Sequence, residues 1–522
     1  QKPFKFPPPD GFQPLNAANI RPETVITRPD QYVDVSLWTG NGNTQTIGGL
    51  KFSPDVTLIK ARSGSAYHVF FDTLRGTNKR LAISPSNAGE ADEGANGVSA
   101  FGTNSYTVTD NGNGDYNVNG VPGGTYSGST GKYVGLAWKA GGSKGTFNVD
   151  DVGYANASDV NMSVDALSNK TQNWSGNATG GQNNGRAFDG TGPRKDHYSH
   201  TSGSLTVNFS PALSGRIIVY GGAGGSGART FTLSDGSSLS SGVVYDTAPY
   251  YSTLDFGVKS NITSLTCSNG YTLYGISLDG KMLVDSGSSA NVPSIPTTGC
   301  SVGTKQGFSV IKYTGNNTQH ASVAHGLNSP IDFMIVKRYN GSGGWAVGSN
   351  ALDSWGKVLY LSDTGNAYSQ PEPFNATAPT DSIFRLYDSS STNANGGNYI
   401  AYCWHNVPGL QKFGRYEGNE STDGPYVELG FRPAVLLVKN ADENNHDWKI
   451  YDGRRNPHNP VTQVLYLNLS NGEDANTGVD FLANGFKWRD SGSAQNGAET
   501  IIYAAWAEAS AFNLYGGQSN AR

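Results

Sequence analysis

The chain has 522 residues, with 37 Lys and Arg against 42 Asp and Glu, a net charge of −5 and only 15% charged residues. That balance argues against a nucleic-acid scaffold, which carries a basic patch or stripe, and the 11% of aromatic residues spread along the chain argue against an acidic disordered tail. No apolar run approaches the ~18–20 residues of a membrane-crossing helix, and the first residues show no apolar signal-peptide core.

Residues 1–30 are expected to be an extended connector, because KPFKFPPPDGFQPL (2–15) is rich in Pro, which fixes φ and disfavours helix. Residues 31–143 form the first of three related β units. Its opening WTGN (38–41) recurs as YTGN (313–316) and YEGN (416–419). In each copy a Pro precedes an apolar strand ending in Lys: Lys60, Lys337 and Lys439. Next come KRLAIS (79–84), KVLYLS (357–362) and QVLYLN (463–468), and each unit closes on a strand ending in Trp138, Trp404 or Trp506. Lys337 and Trp404 stand 67 positions apart, as do Lys439 and Trp506; the first copy stretches this interval to 78 by an insertion within 110–128.

The second and third units occupy 307–409 and 410–512, and 513–522 is a short polar tail. The apolar runs VTLI, FMIV and AVLLV, bounded by Pro or Gly, read as strands buried on both faces. IFRLY (383–387) and YIAYCW (399–404), across a Gly/Asn-rich loop, are expected to pair as a long hairpin. The three tryptophans, at a fixed place in the closing strand, are expected in the core. Residues 144–296 break the pattern: a linker leads into a different antiparallel sandwich, with alternation in Leu205, Val207 and Phe209 and again in Leu273, Ile276 and Leu278. NVPSIPTT (291–298) and the stretch 297–306 read as a linker. The expected fold is all-β: tandem β-sandwich or jelly-roll modules, three related repeats and one inserted sandwich. Cys267, Cys300 and Cys403 are too few and too far apart for a disulfide framework or a CxxC zinc pair.

WTGNGNTQTI (38–47), LKFSPDVTLIKAR (50–62), FFDTLRGTNKRL (70–81) and YVGLAWKAGG (133–142) together resemble fibre proteins of tailed phages of marine bacteria, cyanophages included. FSVIKYTGNN (308–317), VAHGL (323–327), IAYCWHNVPG (400–409) and GPYVELGFRPAVLLVK (424–439) continue the pattern, so the resemblance covers nearly all of the chain. It implies a virion surface or tail fibre protein that attaches to host surface polysaccharide. It further implies other virion proteins as partners and a closed homo-oligomer, a trimer first. No catalytic residue, cofactor, nucleic-acid partner or membrane insertion is implied. In such proteins the Pro-rich segment often follows another sandwich, so further sequence is expected before residue 1. AFDG (187–190) followed by SLTVNFSPAL (204–213) resembles discoidin-like, galactose-binding-like modules, in which the aspartate at the position of Asp189 organises a turn at the top of the sandwich.

Asp72 and Arg75, beside Lys79 and Arg80 and echoed by Asp452, Arg454 and Arg455, read as a charge-assisted structural turn rather than an anion site, since a scaffold role suits a feature that recurs. KDHYSH (195–200) is the densest cluster of candidate ligands. A sugar contact through Asp196, His197, Tyr198 and His200 fits better than a metal, which needs further ligands in good geometry; an ordinary surface loop is the competing reading. DNGNGD (110–115) fails the calcium-loop template, with Gly at positions three and five. No GxSxG, HExxH or Walker loop is present. A non-enzymatic attachment protein is therefore the leading expectation. A glycan-depolymerising tailspike and a purely structural decoration or filament subunit are the alternatives.

Overall fold

The computed structural model describes residues 25–110, 112, 114–120, 131–160, 162, 186–188, 199–201, 205–222, 228–242, 251–267, 271–279, 281–283 and 293–511. The fold is all-β, as the alternating and doubly buried apolar runs require. Two compact units are present: one of residues 1–160, 297–321 and 325–522, the other of 161–296 with 322–324.

The larger unit holds the three repeats, and each builds its main sheet in one strand order. In repeat 1 the opening strand Val33–Thr39 pairs with the closing strand Lys132–Trp138, which pairs with Val56–Ala61, then His68–Asp72, then Lys79–Ile83. Repeat 2 has Phe308–Thr314, Asn398–Trp404, Phe333–Arg338, Ala346–Ser349 and Lys357–Tyr360 in those places. Repeat 3 has Gln411–Glu417, Thr500–Ser510, Phe431–Asn440, Lys449–Asp452 and Val461–Tyr466. Register is equivalent too: the closing Trp138, Trp404 and Trp506 stand opposite Val56, Phe333 and Val435.

Period-2 geometry sends successive side chains to opposite faces, and both faces of the second strand are covered, so Val56–Ala61 is buried at every position. Leu58 faces the core shared by all three repeats; Ile59 faces a second, outer core of repeat 1. Leu437 and Leu436 divide the same way in repeat 3. The outer core of repeat 1 lies under a separate three-stranded sheet of Thr44–Gly48, Ser105–Thr109 and Gly97–Phe101; that of repeat 3 is covered by the last strands of its own eight-stranded sheet, Asp474–Leu482, Gly485–Trp488 and Tyr426–Glu428. Each of these two repeats is thus a sandwich.

The inner faces meet on a threefold-like axis. Ring centroids are 5.4 Å apart for Trp138 and Trp506, 5.9 Å for Trp404 and Trp506 and 6.4 Å for Trp138 and Trp404, with interplanar angles of 66–69°. Edge-to-face packing of this kind places a positive ring edge on a negative face. The repeats therefore share one hydrophobic core instead of standing as separate modules along the chain.

Two sequence expectations are corrected. Asn398–Trp404 does not pair with Ile383–Leu386; its two edges are taken by Phe308–Thr314 and Phe333–Arg338, because the closing strand must insert between the first two to bury Trp404. Residues 297–306 are not a linker but hold the strand Thr297–Gly303, antiparallel to Phe308–Thr314 and parallel to Phe147–Val149, with Cys300 and Val302 buried.

The smaller unit has one antiparallel sheet, in the order Ser199–Thr201, Tyr271–Leu278, Leu205–Gly222, Ser252–Cys267, Thr230–Leu233 and Ser238–Ser240. Register shifts interrupt the two long central strands. Phe188, Val207, Ile217, Phe231, Leu265 and Ile276 lie in its own core.

Candidate functional site

Asp189, Asp196, His197 and Tyr198 lie outside the described residues. His200 falls in the short strand Ser199–Thr201, where its backbone stands opposite Thr272. The described chemistry is concentrated elsewhere, at the three junctions where one repeat meets the next.

At each junction a buried lysine bridges two repeats. Lys60, Lys337 and Lys439, the last residues of the apolar runs, are 1%, 0% and 0% exposed. Lys337 Nζ donates to the Asn87 carbonyl of repeat 1 at 2.7 Å and to its own Gly343 carbonyl at 2.6 Å. Lys439 Nζ donates to Thr364 of repeat 2 at 3.3 Å and to His446 at 2.9 Å. Lys60 Nζ donates to Ser470 of repeat 3 at 2.7 Å and to Ala66. The connections run 1 to 2, 2 to 3 and 3 to 1, so the ring closes. Main-chain bonds repeat the pattern: the carbonyl two residues beyond each lysine accepts from Glu90 (Tyr339 O, 2.7 Å), Ala367 (Ala441 O, 2.8 Å) and Glu473 (Arg62 O, 2.7 Å). Burial pushes the ammonium groups of Lys60 and Lys337 down to about 7 and that of Lys439 to about 8.

Asp72 and Arg75 form a buried ion pair at 2.6 Å, and the Arg75 amide donates to the other Asp72 oxygen at 2.8 Å. Tyr402 Oη of repeat 2 donates to the same carboxylate at 2.9 Å. Asp452 and Arg455 repeat this turn in repeat 3, again with both side chains buried. Repeat 2 carries Ser349 and Leu352 at those positions, neutral on both sides. Lys79 pairs with Asp92 at 2.6 Å, and Arg80 with Glu93 while lying over the Tyr116 ring.

Outside these buried bonds two of the junctions have a surface groove between the turn after the third strand of one repeat and the opening strand of the next. Between repeats 1 and 2 it is a cleft of about 270 Å³ lined by Thr73, Leu74, Ser143, Thr146, Thr298 and Lys312. Between repeats 3 and 1 it is a cleft of about 130 Å³ lined by Asp34, Lys51, Arg454 and Glu508 among others. There Arg454 stands 3.5 Å from Asp34, whose carboxyl is pushed up by burial. At the equivalent place between repeats 2 and 3, Arg415 and Asp353 form an ion pair at 2.6 Å. Among the described residues no group of three or more His, Cys, Asp or Glu is placed to hold a metal ion, and no helix is long and apolar enough to cross a membrane.

Sequence reasoning missed the lysines and the grooves. One signal was present for the lysines: a cation at the same register of an apolar strand in all three copies, where burial demands a partner. The grooves join residues hundreds of positions apart and leave no local signature. No curated protein and no solved structure matches the chain. A family model matches residues 28–182 and 281–510, spanning the three repeats and leaving most of the smaller unit unmatched, and the chain belongs to that family, a domain of unknown function designated DUF7483.

Proposed function

We propose that this chain is a non-enzymatic virion surface protein of the tail-fibre kind, presenting its β units for attachment to host cell-surface glycan. The observation that carries the reading is the closed ring: three divergent copies hold one strand order and one core while their junction grooves differ in lining. A constant scaffold with variable loops is the arrangement in which binding surfaces diversify without loss of fold. Grooves set around one axis also suit multivalent attachment, where weak contacts multiply. Association into a homotrimer would multiply them again and belongs to the proposal. The test is adsorption of the purified chain to candidate host cells, beside reducing-end release from the same cells' polysaccharide and sedimentation of the free protein. Saturable adsorption without glycan cleavage is expected. Glycan cleavage would favour the depolymerase, and no adsorption would favour a purely structural subunit.

A further inference from the structure

The three junctions serve as internal controls for one another. Lys312 and Arg415 hold the same register in their opening strands, opposite Ile400 and Ile502 of the closing strands. The turns they face start from equivalent residues, Asp72 opposite Val56 and Ser349 opposite Phe333. Four positions into the turn stands Asp353 in repeat 2, and it takes the Arg415 guanidinium at 2.6 Å. Four positions into the turn of repeat 1 stands Gly76, with φ of 101° and space for which a Cβ would find no neighbour within 4 Å. Lys312 therefore has no carboxylate at the position where its counterpart finds one. Among the described residues it makes no ion pair, only a 3.3 Å bond to the Leu74 carbonyl. The Tyr339 ring lies 5.8 Å from its Nζ.

We propose that the repeat 1–repeat 2 cleft binds the acidic group of an anionic saccharide, a uronate or sulfate ester, with Lys312 pairing the anion and Ser143, Thr146 and Thr298 reading sugar hydroxyls. The lining holds one cation, four hydroxyl side chains, of which Thr73 already donates to Asp55, and no carboxylate. An exogenous anion there restores the charge pairing that Arg415 and Asp353 make within the chain, and neighbouring hydroxyls select a polyhydroxylated carrier over an acidic peptide. This assignment deepens the attachment reading and rests on it for its biological role.

The experiment is titration calorimetry of the full chain with three probes: an oligogalacturonate, a sulfated galactan oligomer and a neutral galactan oligomer, with a tetraglutamate peptide as a fourth arm. Saturable binding of an acidic oligomer is expected, weakened roughly fivefold by Lys312→Gln, retained in Lys312→Arg, and falling with added salt. The melting temperature of Lys312→Gln should stay at the wild-type value. Equal binding of the neutral oligomer, equal binding of the peptide, binding indifferent to Lys312→Gln, or no binding of either acidic oligomer would each overturn the assignment. Cell adsorption of Lys312→Gln separates the two readings. Adsorption unchanged while acidic-oligomer binding is lost leaves the site standing and removes its role in attachment; adsorption by a wild type that binds neither acidic oligomer does the reverse.

Discussion

Lys60 donates to the main-chain carbonyl of Ser470 at 2.7 Å, across 410 positions of sequence. The bond joins the first repeat to the last and completes what Lys337 and Lys439 do at the other two junctions. An ammonium has three protons and no acceptor capacity, so carbonyl oxygens of two repeats are suitable partners, and the one from the neighbouring repeat is within reach only while the ring is closed.

Removing one of these ammonium groups takes a donor from two junction carbonyls, although the Ser470 and Asn87 carbonyls keep main-chain donors in Ala66 and Gly343. Lys60→Met, Lys337→Met and Lys439→Met are each expected to cost about 1–3 kcal/mol, read as a lowered midpoint in denaturant unfolding. Lys60→Met should in addition make the repeat 3–repeat 1 junction more susceptible to proteolysis near Ser470. A midpoint unchanged in all three variants would contradict the bridging role.

The same lysines give stability a pH dependence with a definite sign. Their folded-state values, about 7 for Lys60 and Lys337 and about 8 for Lys439, lie below the ordinary 10.5. Between those limits the unfolded chain binds more protons than the folded one, so stability rises with pH across that window. Burial pushes Tyr503 up to about 12 and the hydroxyls of Tyr313, Tyr402 and Tyr416 upward as well. Above pH ~10 the unfolded chain then releases protons first, and stability falls. Thermal unfolding should show its highest midpoint near pH ~9–10; a midpoint that falls steadily from pH 7 to 10 would contradict the buried lysines.

Repeat 2 shows how the charged turn can be replaced. Ser349 and Leu352 stand where repeat 3 has Asp452 and Arg455. Removing one member of a buried ion pair leaves an uncompensated charge, so Asp452→Ser or Arg455→Leu alone should cost about 3–5 kcal/mol. The double variant should cost less than either single change. Additive costs in the double-mutant cycle would show that the two groups act independently.

Most of the fold was legible in the order of features along the chain. The Lys positions marked the ends of the second strands, and Trp138 and Trp404 those of the closing strands, though the third closing strand runs past Trp506 to Ser510. Continuous apolar runs such as Val56–Ala61 marked strands covered on both faces. Partner choice was less legible. IFRLY is the strand nearest in sequence to Asn398–Trp404, yet Asn398–Trp404 satisfies its edges with strands nearer the start of its repeat. TTGCSVG carries little strand signal, being mostly Thr, Gly and Ser, yet it forms a strand with Cys300 and Val302 buried. The sharing of one core depends on faces meeting across hundreds of residues, which no local window contains. The KDHYSH cluster was conspicuous by composition alone, and three of its four candidate residues fall outside the described residues.

Amide hydrogen exchange of the three closing strands tests the closed ring most directly. Lys132–Trp138, Asn398–Trp404 and Thr500–Ser510 bury their tryptophans in one core. Their slowest amides should therefore exchange only through the same global opening, with one common free energy and one denaturant dependence. Independent repeats would instead give three distinct opening free energies, with the C-terminal strand exchanging while the other two stay protected, and that result would contradict the ring.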